Sequence, residues 1–204
     1  MATQNKTQTK QQSGTTPKKL GFTVPGVEVE QVHGMGDKLQ LRLHALNDLQ
    51  LTLKHAHWNV VGPKFIGIHT MLDPQVDGVR AMVDELAERM ATLGIAPNGC
   101  PGDLVARRTW EDYPIGLGQA AEHLGALDLV YAGVIEDHRA LIDELEEVDL
   151  VTQDLLIGQV SELEKYQWFV RAHLMDDDGQ LATDGAKSGR DAARKGLAAD
   201  KKAD

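Results

Sequence analysis

Residues 65–94 read FIGIHTMLDPQVDGVRAMVDELAERMATLG, and their spacing decides the fold. Leu72, Val76, Val79, Val83, Leu86, Met90 and Leu93 fall in unbroken alternation of four and three residues, the period of a helix with one face buried. The run predicts a long helix that starts near Phe65 and ends at Gly94. Pro74 is expected to kink it just after Asp73, because proline removes a backbone donor. One position round from the apolar stripe lie two pairs of metal-binding side chains, His69/Asp73 and Asp84/Glu88. Each pair is spaced i to i+4 and so shares a helix face that can grip an ion. Asp73 and Asp84 lie three turns apart, about 16 Å along a helix, so one chain cannot close a site from both pairs. The pairs are symmetric about Gly78. Two such helices crossing antiparallel near Gly78 would bring His69 and Asp73 of one copy to Asp84 and Glu88 of the other, giving two identical sites.

The same period recurs elsewhere. Leu39, Leu43, Leu46, Leu49 and Leu53 mark a helix announced by Gly34, Gly36 and the capping candidate Asp37, and His57 continues its stripe up to Gly62-Pro63. The preceding GFTVPGVEVEQVHGMGD has no helical period. After Gly94, the breaker-rich segment APNGCPGDLVARRTWEDYPIG leaves room for one short helix near residues 103–110. Leu124, Leu127, Tyr131, Val134, Leu141, Leu145 and Val148 mark a third long helix, and Leu156, Val160, Leu163, Val170 and Leu174 a fourth from about Thr152. Four long helices, two short connections and one long middle crossover predict an all-α, ferritin-like four-helix bundle with a short helix in the crossover between helices two and three. The expected organisation is a flexible basic arm and pre-helix segment over 1–36, the bundle over 37–175, and a flexible basic arm over 176–204.

The chain of 204 residues suits one domain with tails. Its single cysteine, Cys100, excludes an internal disulfide, and the start MATQNKTQTKQQSG has no apolar run for a signal peptide. A cytoplasmic protein is expected, and no stretch is long and apolar enough for a membrane span. The net charge of −10 is unevenly spread. Residues 1–20 carry Lys6, Lys10, Lys18 and Lys19 and no acid, and residues 185–204 carry Lys187, Arg190, Arg194, Lys195, Lys201 and Lys202 against three acids, leaving −17 for the body. These basic ends are candidates for contact with nucleic-acid phosphate; the bland alternative is that they only solubilise.

Imidazole with carboxylate suits a transition metal better than calcium or magnesium, and a shell this poor in nitrogen favours iron or manganese over a closed zinc site. Iron is the expected metal. The two central pairs lack the Glu-x-x-His form of intra-subunit di-iron bundles, which only Glu30-Gln-Val-His33 shows, ahead of the first helix.

The run His57-Trp58-Asn59-Val60-Val61-Gly62, then Phe65, His69 and Asp73, and finally Asp84-Glu-Leu-Ala-Glu88-Arg89, resembles the signature of Dps, the DNA-binding protein from starved cells, a mini-ferritin. The similarity covers roughly residues 37–175 and is nearest the tailed actinobacterial type. The resemblance implies a hollow dodecamer built from twofold dimers. It implies two ferrous ions oxidised per intersubunit site, preferentially by hydrogen peroxide, and ferric mineral stored in the cavity. It assigns His57, His69 and Asp73 to one subunit and Asp84 and Glu88 to its neighbour. Trp58, next to His57, becomes a candidate radical trap, or else packs the hairpin between the first two helices. Glu30, His33, His44 and Asp48 resemble the N-terminal metal site of some mini-ferritins and are candidates for zinc or iron; alternatively they are ordinary polar residues at a helix entrance. Asp149 and Asp154 resemble the acidic lining of the family's threefold pores, or are simply good first-turn helix residues. The rival to iron oxidation is a nucleoid-associated, DNA-compacting protein whose metal is mainly structural and whose DNA contact is non-specific and salt-sensitive.

Overall fold

The computed structural model describes residues 18–203, and helices dominate it. In chain order they are α1 (Val29–Gly34), α2 (Gly36–Asn59), α3 (Phe65–Thr92), α4 (Pro101–Arg107), α5 (Ala120–Leu145), α6 (Leu150–Ala172) and α7 (Gly189–Ala203), with two-residue strands β1 (Val60–Val61) and β2 (Gly118–Gln119). Helices α2, α3, α5 and α6 form the four-helix bundle, with α4 in the crossover between α3 and α5. Each contributes the apolar stripe that its period predicted: Leu39, Leu43, Leu46, Leu49 and Leu53; Leu72, Val79, Leu86 and Met90; Leu124, Leu127, Tyr131 and Leu141; Leu156, Leu163 and Val170 are all buried in one core. Fully burying each such side chain stabilises by about 1.5–3 kcal/mol before chain entropy is charged against it.

Strands β1 and β2 pair in parallel, Val60 with Gly118 and Val61 with Gln119, and so tie the end of α2 to the start of α5. There Gln119 and Glu122 form a reciprocal capping box, two orphan amides satisfied at once. At the opposite end Asp149 caps α6, accepting from Val151 N–H at 3.3 Å and from the Thr152 hydroxyl, and receives Arg89 Nη2 at 2.6 Å. Arg89 Nε also donates to Thr152 Oγ1 at 2.9 Å, so the last turn of α3 is bolted to the first turn of α6.

Pro74 lies inside α3, which continues on both sides of it from Phe65 to Thr92. Two expectations are corrected. The pre-helix segment holds the short helix α1, and residues 18–20 pair with 94–96: Leu20 N–H donates to the Gly94 carbonyl and Ala96 N–H to that of Lys18, both within 2.9 Å. Gly94 permits this with φ +77° and no side chain where the Phe22 carbonyl approaches. The C-terminal stretch is not a free arm over 176–203. Helix α7 lies on α5 through small residues, with Ala192 and Ala193 buried, the Ala192 carbonyl lying where a Cβ on Gly125 would sit, and Ala121 carbonyl 2.5 Å from where one on Gly196 would sit. Gly78 has a role within the chain's own core: the Tyr166 hydroxyl from α6 occupies the space a Cβ would take. Lys6 and Lys10 lie outside the described residues.

Candidate metal centre

The last turn of α2 and the first turns of α3 meet across the short β1 connection. That turn geometry places His57 beside His69 and, one turn further along α3, Asp73. One ligand atom from each of the three lies within 4.8 Å of the others, and they form the one such cluster among the described residues. The two imidazoles stack with centroids 3.6 Å apart and planes at 24°. Each ring is oriented by the other residue's backbone: His57 Nδ1 lies 2.9 Å from the His69 carbonyl, and His69 Nδ1 lies 3.0 Å from the His57 carbonyl. A neutral imidazole donating from Nδ1 keeps its lone pair on Nε2. Each ring thereby has a fixed tautomer and an Nε2 able to bind a metal, the arrangement by which proteins commonly orient metal-binding histidines.

Asp73 Oδ1 sits 3.3 Å from His57 Nδ1 and 2.8 Å from Lys54 Nζ. The Lys54 ammonium, hydrogen-bonded to it, holds the Asp73 carboxyl below the usual carboxylate range against a weaker upward push from burial, with His57 and His69 adding to the depression. The carboxylate is therefore charged and ready to bind a cation, with Lys54 as the group that a cation would displace.

Asp84 and Glu88 are exposed on the same helix, and among the described residues neither carboxylate has an ion-pair partner. Helical rise places Asp84 about 16 Å from Asp73. Within one chain the structure brings together three of the five expected ligands and leaves two facing solvent further along α3. Around the trio lies exposed apolar surface: Trp58, Val61, Phe65 and Ile66, with Trp58 70% exposed. Trp58 does not pack the hairpin.

The N-terminal set does not converge. His44 Nε2 is 2.9 Å from Asp103 Oδ2 and 3.2 Å from Gln40 Nε2, joining α2 to α4. Asp48 accepts the indole N–H of Trp110 at 2.5 Å. His33 is buried against the Gly94 turn and Glu30 is exposed. The i, i+3 and i, i+4 spacings are real, but the crossover claims His44 and Asp48 for its own anchoring. Asp149 is engaged in its cap and with Arg89, its side chain only 4% exposed, and Asp154 is exposed. Of the basic residues, Arg194 pairs with Asp191 at 2.6 Å and Lys195 donates to the Asp184 carbonyl, while Lys187, Arg190, Lys201 and Lys202 are exposed.

Sequence reasoning missed the Arg89–Asp149 bolt, for which the N-cap position of Asp149 was the available signal. It gave no partner for His123. His123 is fully buried, with Nδ1 3.0 Å from the Tyr113 hydroxyl, and no periodic signal in the crossover pointed to that pairing.

Residues 36–179 match the ferritin-like domain model. The DNA protection during starvation protein of Mycolicibacterium smegmatis is 55% identical over 174 residues, covering 85% of this chain and 95% of that one. The fine tangled pili major subunit of Haemophilus ducreyi is 51% identical over 164 residues, covering 80% and 87%. Among solved structures, DpsA14 from Streptomyces coelicolor superposes with a TM-score of 0.79 at 57% identity, over 84% of this chain and all of that one. Relatives of such similar identity carry names as different as a starvation protein and a pilus subunit. The chemistry must therefore be argued from the side chains.

Proposed function

The chain belongs to the ferritin-like family, in its Dps branch of DNA protection during starvation proteins, and from that premise we propose that it oxidises ferrous iron at a centre shared between two copies of itself. His57, His69 and Asp73 of one copy form one half of the centre, and Asp84 and Glu88 of the other complete it. The observation that carries this reading is the pre-oriented His57/His69/Asp73 cluster, with fixed tautomers and charge, in a chain whose Asp84 and Glu88 carboxylates have no ion-pair partner among the described residues. The apolar rim of Trp58, Val61, Phe65 and Ile66 supplies the surface a second copy would cover.

Iron is the substrate. Two ferrous ions bound across the interface each give one electron to hydrogen peroxide, whose O–O bond breaks to two hydroxides while both ions become ferric. Carboxylates favour the more highly charged product, and imidazoles complete a shell with open positions for the oxidant. Taking both electrons from one iron pair avoids hydroxyl radical, which is how the reaction would protect DNA. The ferric product is stored as mineral inside a hollow assembly, which the resemblance makes a dodecamer, in the cytoplasm. Asp149 and Asp154, at the start of α6, are the candidates for drawing cations inward, Asp154 being the exposed one of the two.

A second reading, non-specific DNA binding that compacts the nucleoid, is favoured by the exposed cations of α7 and its approach, Lys187, Arg190, Lys201 and Lys202, together with Lys18, Lys19 and the Lys6 and Lys10 region. Reversing Lys187, Lys201 and Lys202 to Glu would weaken a salt-sensitive gel shift if that surface holds DNA. The primary test is ferrous oxidation with limiting peroxide, run alongside light-scattering mass. Two ferrous ions consumed per peroxide by a particle much larger than a dimer is the expected result. A dimer-sized particle with no iron turnover would overturn the reading.

A further inference from the structure

We propose that Asn98 and Gly99, in the turn that opens the crossover, form a self-modifying site at which the folded chain converts Asn98 to aspartate or isoaspartate. The chemistry is attack by a backbone nitrogen on the side chain that precedes it. The Gly99 amide gives up its proton and its nitrogen bonds to Cγ of Asn98, closing a five-membered succinimide. The carboxamide nitrogen takes up a proton and leaves as ammonia. Water then opens the ring, at Cγ to give aspartate or at the Asn98 backbone carbonyl to give isoaspartate, in which the chain runs through Cγ. One water is consumed, one ammonia is released, and no electrons change hands.

Such an attack needs an electrophile held close and polarised, and an amide that loses its proton readily. The Cys100 N–H donates to Asn98 Oδ1 at 3.0 Å. The ring closed by that bond contains both Asn98 Cγ and the Gly99 nitrogen, so the carboxamide is folded back over the peptide that must attack it. The same N–H points at the oxygen on which negative charge grows as the new bond forms.

The attacking peptide is activated separately. Gln40, fully buried on α2, donates from Nε2 to the Asn98 carbonyl at 2.8 Å and accepts the Asn98 N–H on Oε1 at 2.8 Å. A peptide that loses its N–H proton carries much of the charge on its carbonyl oxygen, so the Gln40 donor stabilises the deprotonated Asn98–Gly99 amide. Gly99 is exposed, its N–H donates to nothing among the described residues, and no atom lies within 4 Å of where a Cβ would stand. The approach is therefore open.

Asn98-Gly99 is the single Asn-Gly pair in the sequence. The other described asparagines are held differently. Asn47, inside α2, donates to the Leu43 carbonyl at 3.0 Å and accepts from Gln50. Asn59 donates to the His55 carbonyl at 2.8 Å, and the amide that would have to attack it, that of β-branched Val60, is bonded to the Ala56 carbonyl. In both, the nitrogen that would leave is tethered.

The conversion has a structural consequence. Gln40 clasps the N–H and the carbonyl of one residue, and isoaspartate sets those two groups further apart by inserting a carbon into the backbone between them. Only one of the two bonds can then be kept. The clasp lies two residues beyond Ala96, whose N–H binds the Lys18 carbonyl, so its loss loosens the joint between residues 18–20 and 94–96. The change is irreversible and happens once per chain, so it records the age of the protein.

The test follows full-length, metal-free wild type and a Gln40→Met variant of unchanged melting through incubation at physiological temperature and mildly alkaline pH. Peptide mass spectrometry reads amide-to-acid conversion at each asparagine, and isoaspartyl methyltransferase labelling reads isoaspartate. Asn98 should convert many-fold faster than Asn47 and Asn59, and no more slowly in the folded protein than in the same protein unfolded in urea. Conversion of Asn98 at the rate of Asn59, or a folded rate below the unfolded one, overturns the proposal. Gln40→Met should convert several-fold more slowly, and an equal or faster rate refutes the assistance assigned to Gln40. If that variant does not fold, the comparison of folded with unfolded wild type decides alone. In aged protein the Leu20 and Ala96 amides should exchange hydrogen faster than in fresh protein; unchanged exchange overturns the loosening.

Discussion

Replacing Arg89 by Met should destabilise the subunit far more than loss of an average surface arginine, because it strands a buried charge. The Asp149 side chain is 4% exposed and that of Arg89 13%, at 2.6 Å, with Thr152 bonded to both. Removing one partner of such a pair costs about 3–5 kcal/mol, against less than about 1 kcal/mol for an exposed pair. For a chain of this length that corresponds to a fall of roughly 6–20 °C in Tm, measured at fixed protein concentration because assembly shifts the midpoint. The pH dependence carries the diagnosis. Burial pushes the Asp149 carboxyl up, but hydrogen bonds from Thr152 and Arg89, with the Arg89 charge and the Val151 amide, outweigh it and hold it below the usual carboxylate range. In the wild type this contributes stability above the unfolded value near about 3.9 that is lost as pH falls through the depressed folded value. Without Arg89, burial dominates, the folded value moves up, and acid relieves the penalty by protonating the carboxyl. The gap between wild type and variant, followed by circular dichroism melts, should thus be widest at neutral pH and narrow toward pH of about 4. Adding Asp149→Asn to Arg89→Met should recover most of the loss, since Asn caps nearly as well as Asp and carries no charge. A gap that does not change with pH, or a double variant no better than the single, would refute the reasoning.

Other outcomes follow from single contacts. Gly125→Val places a side chain into the Ala192 carbonyl, so limited proteolysis should clip α7 faster while the bundle's helical signal persists. Lys54→Met frees Asp73 from its ammonium, so cobalt(II) titration of the metal-free protein should show a few-fold tighter binding, modest because the pair is half exposed. His138 is buried with its proton affinity pushed down to about 4, chiefly by burial and then by Arg42. The unfolded chain takes up that proton near pH of about 6.5, so the wild type should lose about 3 kcal/mol as pH falls from there toward the folded value. His138→Leu should lose correspondingly less over the same range in denaturant titrations.

The bundle was legible because its four helices carry large apolar residues at three-four spacing, a signal that needs no knowledge of partners. Helix α7 carried no such signal. Its contact with α5 uses Ala192, Ala193 and Gly196 against Ala121 and Gly125, a close backbone approach that small residues permit and that leaves no apolar stripe to read. Helix α1 is too short to show a period. For the site, i to i+4 spacing correctly put His69 and Asp73 on one face, and the resemblance supplied His57 from the neighbouring helix. The same spacing argument misled for His44 and Asp48, because residues in the crossover, Asp103 and Trp110, bind them, and contacts across some 60 positions of chain leave no local trace. The symmetry about Gly78 gave no hint of what the glycine does inside its own chain, where it accommodates Tyr166.

The shared centre can be tested by subunit complementation. Asp73→Asn disables one half of every site and Asp84→Asn with Glu88→Gln disables the other, so assemblies of either variant alone should lack ferrous oxidation. Unfolded, mixed in equal amounts and reassembled, half of the twofold pairs combine one of each, and each mixed pair has one intact site of two, so about one quarter of wild-type activity should return. Recovery near that level is the result predicted for a pocket built from two chains. Mixed assemblies as inactive as their parents would contradict it.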